Sequence, residues 1–231
     1  MVALGVLMSS LSFCKKLFSY PGRLIALTIL DVIPLLNLIA VGYYCEIARE
    51  GSNIADPPAL RNIGSLFIQG IKVVIVTTIY NLVPLALVFP LMSIRLGLPL
   101  LPRFFYYESI ILFIIGVIVF ILINEINFIA IVHMLRNKAF SKAFAISEIK
   151  IALQKISKLD YALFLLFMYP ILLICLYTIT INYLWWLITV AITPFLATFF
   201  CRSLGIIYEG HTDANKKMMA ASSIVVHLLS Y

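Results

Sequence analysis

The chain has 231 residues, 63% of them apolar and only 12% charged, whereas an ordinary soluble domain carries about 25% charged residues. Together with a mean hydropathy of +1.09, this excludes a free-standing soluble globule, a disordered chain, a collagen-like repeat and a disulfide-rich secreted module. The formal charge of +7 comes with no basic run standing clear of the apolar segments, so it points to anionic lipid headgroups and away from nucleic acid.

Residues 1–13 are apolar but too short to span a bilayer, which takes about 20 residues. They have no basic stretch ahead of the apolar part and no small-residue cleavage site after it. They therefore read as an interfacial helix with Lys15 and Lys16 snorkelling at its end, not as a cleaved signal peptide.

Five long apolar runs follow, at about 24–45, 71–94, 106–135, 161–181 and 183–208. All but the third carry proline: Pro34; Pro84 with Pro90; Pro170; Pro194. Proline inside a helix removes a donor and frees the carbonyl four residues earlier. Although proline is commoner in membrane helices than in soluble ones, these four runs are expected to be kinked or broken.

The first run leaves two arrangements open. If it crosses straight through, Lys15, Lys16, Arg23, Arg95 and Arg103 face one side and the other twelve basic residues the opposite one. If it breaks near Pro34 and returns as a re-entrant hairpin, only Arg95 and Arg103 face outward and fifteen face the cytoplasm. The positive-inside rule favours the second arrangement. Each arm would then hold roughly ten residues, about 15 Å of helix, half the hydrocarbon thickness. Asp31, Pro34 and Asn37 fall at the turn, where non-helical backbone at membrane depth needs polar partners.

Two connecting segments read as amphipathic helices at the headgroup level. Residues 56–70 put Asp56 at an N-cap, prolines in the first turn and Leu60, Ile63 and Phe67 at helical spacing. Residues 147–159 start at Ser147 and place Ile149, Leu153 and Ile156 on one face, with Lys150, Gln154, Lys155 and Lys158 mostly off it. Each leads into a span, at Lys72 and at Asp160, which makes a loose repeat of pattern rather than of residues.

Glu125, in Asn124-Glu125-x-Asn127, lies ten residues before Leu135 at the basic end of its run. That is about 15 Å of helix, near mid-bilayer, where an ionised carboxylate is costly. Asp31 falls at similar depth. Two acids beside broken helices suggest a proton or cation site of Glu125, Asp31, Asn37, Asn124 and Asn127; the plainer alternative is a protonated Glu125 bonded to open backbone near Pro34. Asn81 reads as a backbone-satisfying amide, His133 as an interfacial residue, and Tyr183, Trp185 and Trp186 as an outer aromatic belt. Cys14, Cys45, Cys175 and Cys201 form no C-x-x-C pair, and His133, His211 and His227 have no ligand spacing, so no metal or cofactor is expected. There is no G-x-S-x-G, H-E-x-x-H, Walker or G-x-G-x-x-G motif, and no enzyme is expected.

The stretch Tyr20-Pro21 followed by Ile33-Pro34-x-x-Asn37-x4-Gly42-Tyr43 resembles an uncharacterised prokaryotic, often archaeal, family of multi-pass membrane proteins built on a domain of unknown function. Phe67-x-x-Gly70-x-Lys72 is similar to its second motif, Ala143-Phe144 with Glu148-Ile149 to its central amphipathic segment, and Pro194-Phe195 to its last span, over roughly residues 18–210. Where the family often carries an acidic, tryptophan-bearing stretch before the second motif, this chain has Pro57-Pro58-Ala59-Leu60. The resemblance implies architecture and no activity.

The fold expected is an all-α integral membrane bundle of four full transmembrane helices plus the proline-broken first segment and interfacial helices. Residues 1–208 form one membrane domain and 209–231 a cytoplasmic tail. The expected role is a non-catalytic scaffold, assembly or accessory component of the cell membrane, with basic loops cytoplasmic. Its partners would be lipid, membrane proteins or further copies of itself. The alternative is a small proton- or cation-coupled permease using the mid-membrane acids.

Overall fold

The structure is a computed structural model that describes the backbone of residues 2–95, 106–181 and 183–229 and the side chains of 4–90, 110–175 and 187–210. These residues form eight α-helices: α1 (Val2–Lys15), α2 (Pro21–Val32), α3 (Asn37–Glu50), α4 (Ile63–Arg95), α5 (Tyr106–Asn137), α6 (Ile146–Lys155), α7 (Lys158–Ile181) and α8 (Tyr183–Leu229), with no strand among them. Within α4, α5, α7 and α8, the segments Ile63–Pro90, Ile110–Asn137, Lys158–Cys175 and Leu187–Gly210 are long and apolar enough to cross a membrane. The 28 residues of Ile63–Pro90 reach about 42 Å, against a hydrocarbon core of about 30 Å. Leu82, Leu85, Ile111, Ile118, Leu122, Leu166 and Leu173 stand exposed along these helices. Such a surface is incompatible with water and natural in lipid. The protein is an integral membrane helical bundle.

The first apolar run is broken where Pro34 stands. Proline pushes the preceding residue out of the helical region, and Ile33 is extended (φ −85°, ψ 116°). Leu35 then takes a positive φ of 70°, and α3 starts at Asn37. The arms form a hairpin, because Arg23 Nη1 near the start of α2 donates to the Pro57 carbonyl beyond the end of α3. Lys16 likewise pairs with Asp56 at 2.8 Å.

Two glycines seat this hairpin against α4. A Cβ on Gly42 of α3 would lie 2.0 Å from the Leu66 carbonyl oxygen, and one on Gly70 of α4 would lie 2.0 Å from that of Leu38. The register is antiparallel, and only glycine permits so close a backbone approach. Leu38 thus sits opposite Gly70, about 10 Å along α4 from Ile63, so the turn reaches into the first half of α4.

Several expected features differ. Residues 56–70 are not a separate helix. Residues 54–62 are non-helical, and one continuous helix starts at Ile63. Asp56 is held by Lys16 instead of capping. The Asn62 carbonyl accepts from Ser65 and Leu66 and opens α4, so the interfacial-helix-then-span repeat is absent from this part of the chain. The second amphipathic segment does form, as α6, starting at Ile146 rather than Ser147, with Ile149 and Ala152 buried. Helices α4, α7 and α8 run through Pro84, Pro90, Pro170 and Pro194 without a break. Helix α8 continues past residue 208 as far as Leu229, while its membrane-length segment ends at Gly210. Helix α1 is no loose surface helix: Phe13 and Cys14 are buried, and the Arg202 guanidinium of α8 stacks 3.8 Å over the Phe13 ring. The side chains of Arg95, Tyr183, Trp185, Trp186, His211 and His227, and residues 96–105 with Arg103, lie outside the described residues.

Candidate functional site

The five residues expected to share a proton or cation site occupy three places. Asp31 and Asn37 meet at the hairpin turn, where Asn37 Nδ2 donates to the Asp31 carbonyl at 3.2 Å and lies 3.4 Å from its Oδ1. The Tyr44 hydroxyl donates to Asp31 Oδ2 at 2.7 Å. A straight helix would separate residues thirteen apart by about 20 Å, so this bond exists only because the chain reverses at Pro34. The Asp31 carbonyl beside the break has found its polar partner inside the hairpin, in the Asn37 amide.

Asn124 and Asn127 belong to an amide cluster between α4 and α5. Asn124 Nδ2 donates to Asn81 Oδ1 at 2.8 Å and to its own helix at the Phe120 carbonyl, also at 2.8 Å. Asn81 returns a bond to the Thr77 carbonyl at 2.8 Å, the backbone-satisfying role expected of it, and adds the interhelical pair. Asn127 is buried with its Oδ1 unpartnered.

Glu125 faces elsewhere. It lines a groove of about 590 Å³ between α5, α6 and α7, together with Lys150, Gln154, Lys158, Tyr161 and apolar side chains. Its backbone carbonyl accepts the Tyr161 hydroxyl. Its carboxylate makes no hydrogen bond or ion pair among the described residues, and it is not bonded to the backbone near Pro34. Asp31 and Glu125 therefore do not form one acid pair. Among the described residues no three His, Cys, Asp or Glu side chains converge as metal ligands.

A dense polar structure lies at the end of the bundle where α3 and α5 finish, and the sequence does not foretell its pairings. His133, expected at the interface, is 8% exposed. Its Nδ1 lies 2.6 Å from the Tyr208 hydroxyl of α8, and its Nε2 lies 2.9 Å from Glu148 Oε2 of α6. Lys142 Nζ donates to the other Glu148 oxygen at 2.6 Å. The Lys142 ammonium, and after it His133, hold the Glu148 carboxyl below the usual glutamate range. The result is a hydrogen-bonded chain from a buried phenol to a carboxylate at the surface. It ties three helices together and has the connectivity to pass a proton.

Beside it, Glu209 of α8 accepts from Arg136 of α5 at 2.9 Å and from the Ser52 amide at 3.0 and 3.1 Å. Gly51 has φ +53°, and a Cβ there would meet Glu209 Oε1 at 2.4 Å and Arg136 Nη2 at 2.8 Å. Arg202 Nη1 donates to the carbonyls of Gly51 at 2.8 Å and Ile54 at 2.9 Å. The turn after α3 is thus fastened to α5 and α8 from two sides. The sequence carries a signal for these residues: Arg136, Arg202 and Glu209 are charges in or beside apolar runs, where charge has to be paired, whereas the positive-inside rule counts the two arginines only by side and does not use Glu209.

A family model described as "Protein of unknown function (DUF4013)" matches residues 26–183. The match takes in the hairpin from Ala26 onward, Gly42 and Gly70, Glu125 and His133, and ends as α8 begins. No curated protein and no solved structure matches the chain.

Proposed function

This chain belongs to the DUF4013 family, and we propose that it works as a non-catalytic scaffold or accessory component of the cell membrane. In this reading the hairpin is re-entrant and the basic end faces the cytoplasm. One observation carries it: apart from the Glu125 carboxylate and Asn127 Oδ1, the described interior acids and amides named above are spent on holding helices together. Asp31 is engaged by Tyr44 and Asn37, Asn124 by Asn81, and Glu209 by Arg136 and Ser52. A bundle fastened so firmly at one end suits a platform for other membrane proteins or for further copies of itself. Purification of the tagged chain from its own membranes in a mild detergent tests this. A stoichiometric partner or a defined homo-oligomer is expected, and a solitary monomer would overturn it.

A second reading, a small proton- or cation-coupled permease, is favoured by the unpaired Glu125 carboxylate in the α5–α6–α7 groove. Its test is proton or cation flux in liposomes that is lost with Glu125→Gln. Flux unchanged by that substitution would remove Glu125 from any mechanism.

A further inference from the structure

Several described cations at the basic end are already spoken for. Lys16 is paired with Asp56, Arg49 with Glu46 and Glu50, Arg136 with Glu209 and Lys142 with Glu148. Arg202 is bonded to backbone carbonyls. Three that are not spoken for come together beside α4. One cleft of about 470 Å³, lined by Lys72 and Lys138 with Arg49, Ser65 and Gln69, adjoins a second of about 490 Å³, lined by Arg61 with Arg49, Ser65 and Gln69. The side chains of Arg61, Lys72 and Lys138 have no hydrogen-bond or ion-pair partner among the described residues. The one carboxylate in the trough, Glu46, is already bonded to Arg49.

Position along the bundle says what would come there. Ser65, Gln69 and Lys72 lie on the opening turns of the Ile63–Pro90 segment, and Lys138 directly follows the end of the Ile110–Asn137 segment. Lys138 closes α5 with a positive φ of 53°. Ser65 and Lys138 stand where a spanning helix passes through lipid headgroups, and Lys72, about 14 Å along α4 from Ile63, is within the reach of a lysine that snorkels to that level. The trough also has an apolar side made by Ile68, Met134, Leu135 and Phe140. Unpaired cations, neutral hydrogen-bonding groups and an adjoining apolar wall are complementary to a phosphodiester with the start of its acyl chains.

We propose that the trough between α3, α4 and α5 is a site for the headgroup of an anionic phospholipid, with Arg61, Lys72 and Lys138 as phosphate-binding residues and Ser65 and Gln69 as neutral hydrogen-bonding groups. The site rests on the membrane placement of α4 and α5 and is independent of the scaffold reading. A chain that keeps the lipid but purifies as a solitary monomer would sink the latter alone.

The test is native mass spectrometry of the full chain in a mild non-ionic detergent, titrated with phosphatidylglycerol and phosphatidylcholine of equal chain length. Phosphatidylglycerol should be retained at least about tenfold better by the unsubstituted chain. The double variant Lys72→Gln, Lys138→Gln should lose most of that preference, and Lys72→Arg, Lys138→Arg should keep it. A second double variant, Lys15→Gln, Lys150→Gln, removes the same charge elsewhere and should leave the preference intact. Equal losses in the two glutamine pairs would reduce the effect to net charge and overturn the site, as would absence of any preference. Displacement of the lipid by millimolar inorganic phosphate would assign the trough to a free anion and overturn the lipid assignment.

Discussion

The Tyr44 hydroxyl reaches Asp31 Oδ2 at 2.7 Å from the opposite arm of the hairpin, so one hydrogen bond joins the two halves of the first apolar run. Replacing Tyr44 by Phe strands a half-buried carboxylate, a loss of about 1–3 kcal/mol. Thermal unfolding in detergent should show it. Because the two residues share one interaction, adding Asp31→Asn should cost less than the sum of the separate changes.

The reciprocal notch predicts a sharp asymmetry among glycines. Gly42→Ala and Gly70→Ala each put a Cβ 2.0 Å from a carbonyl oxygen of the facing helix, so α3 and α4 must part. A loss of about 1–3 kcal/mol each is expected, as for other overpacked interfaces. Gly22→Ala and Gly64→Ala meet nothing within 4 Å and should be nearly silent in the same melting assay.

Glu209 with Arg136 predicts a local failure. Their side chains are 12% and 18% exposed, and deleting one member of a buried pair costs about 3–5 kcal/mol. In Glu209→Ala the turn at Gly51–Asn53 also loses its carboxylate anchor. Limited proteolysis should cut there well before it cuts the unsubstituted chain.

Glu148 predicts a dependence on pH. Its folded value lies below the ordinary 4.5, so its contribution is complete above 4.5 and fades as the pH falls through the lower folded value. The group is exposed and screened, so the effect is local and small. Amide exchange in α6 should quicken relative to α3 on acidification through that range. In Glu148→Gln the pH response should vanish.

Chain direction can be read by labelling. In a background free of the four native cysteines, Lys15→Cys and Asn53→Cys should react from the same side of sealed vesicles. The hairpin brings Lys16 to Asp56, so neighbours of both lie at one end of the bundle. Reaction from opposite sides would refute the hairpin.

What the sequence made legible was whatever depends on neighbours in the chain. Hydropathy alone marks the four long helices. Pro34 with Asp31 and Asn37 marks the break, because the residues that repair it lie within six positions. Partners further off were hidden. Nothing local brings His133 to Tyr208, seventy-five residues away, so it read as a boundary histidine. Equal depth for Asp31 and Glu125 implied nearness only while the direction each faces around the bundle was unknown, and that direction is set by tertiary packing. Pro57-Pro58 imitates a helix start, yet the flanking segment is held by Lys16 and Arg23 from another helix, and α4 opens later, at Asn62. The prolines of α4, α7 and α8 sit in long helices with enough other bonds to continue through them.

The Gly42–Leu66 and Gly70–Leu38 contacts also impose an order on biosynthesis. A nascent polypeptide that has been translated only as far as Glu50 owns both arms of the hairpin but not the surface that receives them. Until the ribosome has added Gly70, the hairpin lacks the face of α4 that receives it, so its final packing waits on the next helix.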